Sequence, residues 1–405
     1  LIALVAPAMA ATVNATLCGE YHVKFEDVND MAEGHIADEF FEDNLDEPAR
    51  GAEVRISETG SSSYTPYNLS NSNPACVVVA LNDNKTYTVK LVSRAVVDGH
   101  TIEVRTSDGV APEPSGGTAN ALYVFSIPNW VPVTSTTWLR PTTVGGVWNL
   151  AAVLGWALHR EDLGMSNGTL TVYREPCAGG TPRVYQDNSC ASNATRTIWY
   201  RPGAEGVKIG PIHELGHIVV AEGCNGGVAA DVDRGGTGGN CVEDNYGVAK
   251  EKTFTSNAVN EGIAWFYPAF IFNNPAQGSC AIKKGDNFDL EQDGEEPGYE
   301  TTPTCGGSSA EEFPDEDYLG NMCTGPLAER STRIDWWRTW WDLVAEEGWT
   351  VADVCNVWDG ANPNTWDQDG GSGANDPWDR LYSSAVSRGL GADFSSVSIT
   401  NGVHR

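Results

Sequence analysis

The alternation of apolar and polar positions divides the chain into a β-rich first part and a largely helical remainder. "EYHVKFEDV" (20–28) and "GAEVRIS" (51–57) alternate with a period of two, as strands with one buried face do. "YTVKLVSRAVVDGHTIEVRT" (87–106) reads as two strands joined at Asp98-Gly99, because that dipeptide tolerates the positive φ values of a tight hairpin. Acidic "DEFFEDNLDEP" lies between strands. The pattern predicts a small antiparallel β-sandwich over 11–110, carrying no cluster of catalytic residue types. "APEPSGGTAN" (111–120) reads as a linker that, with a first strand, extends to 135.

The period then changes to that of a helix. In "VGGVWNLAAVLGWALHRED" (144–162), Val147, Leu150, Ala151, Leu154, Ala157 and Leu158 fall on one face. "LTVYRE" (170–175) and "RTIWYRP" (196–202) read as strands. A helix is expected over 205–222, with Pro211 in its first turn and Gly223 after it. "SNAVNEGIAWFYPAFIF" (256–272) reads as a mostly buried helix ending or kinking at Pro268. Thr332 to Glu347 is a helix with a capping-box start, Thr332 and Asp335, and Gly348 beyond it. A last helix covers 377–388. The fold class is therefore α+β, with the helical domain over 136–405.

Composition narrows the setting. The 55 acidic and 25 basic residues leave a formal net charge of −30, a surface that repels nucleic acid and anionic lipid. "LIALVAP" followed by Ala8-Met9-Ala10 reads as the remnant of a secretory signal over 1–10, and is too short to span a bilayer. Ten cysteines with no CxxC spacing fit disulfides in an oxidising compartment, so the protein is expected to be secreted or periplasmic. The expected neighbours are Cys177–Cys190, Cys224–Cys241 and Cys305–Cys323. Asn14 and Asn193 open glycosylation sequons.

The chemistry concentrates in "KIGPIHELGHIVVAEG" (208–223). His213 and His217 are four residues apart, so on a helix both imidazoles stand on one face and can share one Zn²⁺. Glu214, beside the first ligand, is placed to take a proton from a metal-polarised water. The segment is otherwise apolar, and unpaired histidines buried there would be costly. A catalytic zinc needs a third protein ligand. The sole histidine downstream is His404 at the C-terminus, and Val220 and Gly223 break the three-histidine metzincin pattern. The ligand is expected to be a carboxylate. Glu261 fits best, since a lone carboxylate in an apolar helix demands a partner.

HELGH followed by Asn260-Glu261-Gly262-Ile263-Ala264 resembles the gluzincin group of zinc metallopeptidases, to which thermolysin belongs. The resemblance covers about 136–272, where the order of helices and strands is similar. It implies a zincin-like catalytic domain with His213, His217 and Glu261 on zinc and Glu214 as general base. A peptide or protein substrate could then pair with "RTIWYRP". Two departures stand out. The spacer between His217 and Glu261 is long, and Trp265 occupies the position of a supporting aspartate, leaving the group that orients the imidazole unnamed. "NCVEDNYG" (240–247) is faintly similar to the aspzincin motif, which makes Glu243 or Asp244 a rival third ligand. Tyr246 and Tyr267 are candidates for stabilising the oxyanion, against the plainer readings of loop tyrosine and core aromatic. The N-terminal sandwich resembles immunoglobulin-like or transthyretin-like domains.

Weaker signals remain. Asp289, Glu291, Asp293, Gly294 and Glu300 fall at EF-hand loop positions and could hold Ca²⁺, although Pro297 interrupts the loop and a solvated acidic loop explains it as well. Asp367, Asp369 and Asp376 form a similar group. Trp336 with Trp340 and Trp337 with Trp341 are helical neighbours, better read as core than as a sugar-binding face. The function expected is a secreted zinc metallopeptidase; the alternative is a zinc-containing adhesion or binding protein without catalysis.

Overall fold

The first strand begins eight residues before the alternating stretch 20–28, of which 24–28 lies outside the described residues. In the computed structural model "TVNATLCGEYH" runs as a single strand, β1 (Thr12–His22), with Leu17, Cys18 and Tyr21 buried. The structure describes residues 11–23, 46–106, 121–141, 146–160, 163–177, 189–203, 209–226, 255–272, 333–366, 377–400 and 403. The protein is α+β, with extended sheets and several helices, and divides into two compact units.

The first unit holds two sheets. β1 pairs with β2 (Asp46–Pro48) and, antiparallel over eight residues, with β5 (Ala75–Asn82). Cys18 and Cys76 face each other in that register and form a disulfide. β9 (Thr137–Leu139) runs parallel to β1. The second sheet is built around β6 (Tyr87–Val97). One edge of β6 pairs with β3 (Ala52–Glu58), which carries β4 (Thr65–Asn68). The other edge is shared by β8 (Val124–Trp130) and β7 (His100–Arg105), and β10 (Thr169–Tyr173) lies parallel to β7. The expected turn joins β6 to β7: Asp98 and Gly99 have φ of 47° and 95°. The sheets meet at Gly19, where an added Cβ would lie 2.4 Å from Leu69 and 3.6 Å from Leu91.

Helix α1 (Val147–Arg160) falls in this unit as far as His159. It is buried all round from Val147 to Leu158 rather than on one face. Trp148 stacks on Tyr21 of β1, and Gly155 lies against Val97 and Ile102. His159 meets Asp98 at 2.6 Å. On the strands, Glu53 is nearly buried and is neutralised by Arg55 and Arg94; Arg94 and Arg105 in turn bind Glu103 at 3.1 and 2.5 Å. A carboxylate that deep requires such partners.

The second unit contains a hairpin of β11 (Cys190–Ser192) and β12 (Thr197–Trp199), followed by helices. These are α2 (Ile209–Gly223), α3 (Thr255–Phe272), α4 (Arg333–Ala345), α5 (Val351–Ala361), α6 (Pro377–Ser387) and α7 (Gly391–Thr400). α3 continues through Pro268. Thr332 of the expected capping box lies outside the described residues. A second box, unread in the sequence, opens α5: Thr350 caps the Asp353 amide and Asp353 caps that of Thr350. α4 fills the core with Trp336, Trp337, Trp340 and Trp341, each at most 1 % exposed. These tryptophans are core, as the sequence suggested, and offer no face to a sugar.

The disulfides correct one expectation. Cys177–Cys190 forms. Cys224 pairs with Cys355 of α5 and not with Cys241, because α5 packs at the end of α2 and brings together residues 131 positions apart. The Trp358 indole N–H donates to the Gly226 carbonyl at 2.6 Å and Asn225 donates to Asp359 at 3.1 Å, holding the same junction. Cys305–Cys323 lies outside the described residues. Among the described residues no helix is long and apolar enough to cross a membrane, and three disulfides are consistent with an extracellular protein.

Candidate metal centre

α2 is anchored at both ends before it presents any chemistry. At its start Gly210 lies where a Cβ would be 2.4 Å from the Tyr200 hydroxyl, and Pro211 occupies the first turn, where its missing N–H costs nothing. In the last turn Glu222 accepts from Nε and Nη2 of Arg196 at 2.5 and 2.6 Å, a bidentate geometry that fixes orientation as well as charge. Ile212, Leu215, Ile218 and Val219 are fully buried. That leaves His213, Glu214 and His217 held on a rigid scaffold.

α3 packs directly on α2, and Gly216 sets the spacing. A Cβ at Gly216 would be 2.7 Å from the Ala264 carbonyl oxygen and 3.1 Å from the Tyr267 Cβ. Within that approach Glu261 reaches both histidines. Its Oε2 lies 3.3 Å from His213 Nε2 and its Oε1 lies 3.5 Å from His217 Nε2. One ligand atom from each of the three residues lies within 4.8 Å of the others. Donors about 2.0–2.1 Å from a common tetrahedral centre stand about 3.4 Å apart; the two nitrogen–oxygen separations, each to a different oxygen of Glu261, are of that order. His213, His217 and Glu261 thus form a buried group that could bind a metal ion.

The imidazoles are set differently. They meet edge to face, with centroids 4.8 Å apart and planes at 77°. His213 also lies flat against Trp265, at 4.0 Å and 29°. Trp265 leans on Trp337 of α4, centroid to centroid 6.0 Å. Glu214 is buried beside this group, and burial first, then the charge of Glu261, push its carboxyl well above the ordinary carboxylate range.

Compared with known families and curated proteins, the chain matches no family model and no curated sequence. Of the residues singled out from sequence, His213, Glu214, His217 and Glu261 come together. Tyr267 lies on α3 and is fully buried, its Cβ facing Gly216. Tyr246, Glu243, Asp244, Asp289, Glu291, Asp293 and Glu300 lie outside the described residues, as do Asp367, Asp369 and Asp376. Sequence reading missed the roles of Gly216 and Trp265. Gly216 stands inside HELGH, where a glycine mid-helix is itself a signal of close approach. Trp265 was visible as a departure from the resemblance, but its stacking was not.

Proposed function

We propose that the chain is a secreted zinc metallopeptidase in which His213, His217 and Glu261 hold the ion and Glu214 is the general base. One observation carries this reading. Three donors converge, while a second carboxyl, Glu214, is kept buried on the same turn of α2 with its proton affinity raised. When bound, zinc supplies a Lewis acid that polarises a substrate carbonyl and makes water a stronger acid.

The chain's own residues do the rest. His213 and His217, whose Nε2 atoms face Glu261, would hold the ion with the Glu261 carboxylate; one negative charge against a dication would leave the centre positive toward an incoming carbonyl. Glu214 takes the proton of the attacking water and passes it to the leaving amine. Metal binding alone does not require a carboxyl buried there, and burying one is unfavourable. That cost favours a peptidase over a protein that merely stores or displays a metal. Disulfides among the described residues agree with export.

The test is zinc content together with casein and peptide-library hydrolysis for wild type and Glu214→Gln. The expected result is near-stoichiometric zinc in both and a loss of about 10²–10⁴-fold in turnover in the variant. Wild-type protein that holds zinc but cleaves no peptide would reject the peptidase and leave the metal-binding protein.

A further inference from the structure

We infer that Trp265 is a positioning residue for His213: its indole, lying flat on the imidazole, fixes the direction in which Nε2 meets the ion. The inference rests on the metal reading above. Metal-binding imidazoles are commonly oriented by an outer group, often a carboxylate, that holds the ring in one rotation. Here the ring plane of His213 is 29° from that of Trp265 at 4.0 Å between centroids. Rotation of the imidazole about its bond to Cβ would drive an edge into the indole, so the stack restrains the ring sterically.

The arrangement is built from the backbone outward. Glu261 and Trp265 are four residues apart on α3, so one helix face delivers both the carboxylate and the plate. Trp265 is 5 % exposed and packs against Trp337, 1 % exposed, at 6.0 Å and 31°, so the indole is itself held in the core. His217 meets His213 edge-on and does not share the stack geometry. Charge acts in the same direction as shape. An imidazole that donates to a cation becomes electron-poor, and the face of an indole, the most favourable aromatic for a cation, attracts it. The stack therefore strengthens when the ion is bound.

The experiment measures zinc affinity by competition with a chelator, and the visible spectrum of the cobalt-substituted protein, for wild type, Trp265→Phe and Trp265→Leu. Melting temperature and near-ultraviolet circular dichroism confirm folding. Removing the plate should weaken zinc binding about 10–100-fold and alter the cobalt ligand-field bands, as loss of an outer-shell partner does. The phenylalanine variant, which keeps a stacked ring, should retain most of the affinity and the wild-type spectrum. A folded leucine variant with unchanged affinity and spectrum overturns the inference and leaves the metal centre standing. Wild-type protein that binds neither ion overturns the metal centre and this inference with it. If the leucine variant does not fold, wild-type protein labelled with ¹³C-histidine decides. Of the two histidine signals that respond to zinc, one should lie upfield from the ring current of Trp265; two unshifted signals overturn the inference.

Discussion

Gly216 and Ala264 bring α2 and α3 so close that a methyl group on Gly216 would lie 2.7 Å from the Ala264 carbonyl oxygen. The contact is with backbone, which cannot swing aside as a side chain can. Gly216→Ala must therefore push α3 away and carry Glu261 from the histidines. Overpacking of this kind costs about 1–3 kcal/mol. The expected outcome is a lower melting temperature and weaker zinc binding together, measured by calorimetry and chelator competition.

Glu261 bridges both imidazoles, so on the proposed function its loss removes a metal donor rather than a support. Glu261→Gln should reduce zinc affinity by more than the roughly 10–100-fold that follows loss of an outer-shell partner. Zinc content and activity both intact in this variant would reassign the third ligand, with Glu243 and Asp244 next to be tested.

Glu214 makes the metal-free protein sensitive to pH. Its folded-state carboxyl holds its proton more tightly than the unfolded chain's, because burial and then Glu261 disfavour the charged form. Between the unfolded value and the raised folded one, the native state binds more protons, so stability falls as pH rises. Chelated wild type should melt at progressively lower temperature as pH increases from about 4 toward neutrality. Glu214→Gln should flatten this dependence; an equally steep profile in the variant would place the titrating group elsewhere.

The Cys224–Cys355 bridge closes a ring with a sequence separation of 131 at the end of α2. On the chain-entropy account such a ring stabilises by about 5 kcal/mol, an upper figure for the paired Cys224→Ser, Cys355→Ser variant. Urea unfolding should show a large fall in midpoint. A non-reducing peptide map should recover the two cysteines in one linked peptide, and Cys224 linked to Cys241 instead would contradict the docking of α5 on residues 224–226.

Much of this protein is determined by local sequence, because its main signals are local. Alternation around Asp98-Gly99 specifies the β6–β7 hairpin. The four-residue spacing of His213 and His217 places two imidazoles on one helix face, and the isolated carboxylate of Glu261 marks where a partner must be found. The four tryptophans of α4 read correctly as core. What tertiary structure decided are the relationships that no spacing encodes. Cys224 found Cys355 because α5, a helix capped by Thr350 and Asp353, packs at the end of α2. α1 is buried on every side, with Tyr21, Val97 and Ile102 of three strands among its neighbours, a fact its one-sided period concealed. Gly216 matters through a backbone on another helix, and Trp265 through the ring it touches. Periodicity reports which face of an element is buried; the identity of what lies against that face comes from packing alone.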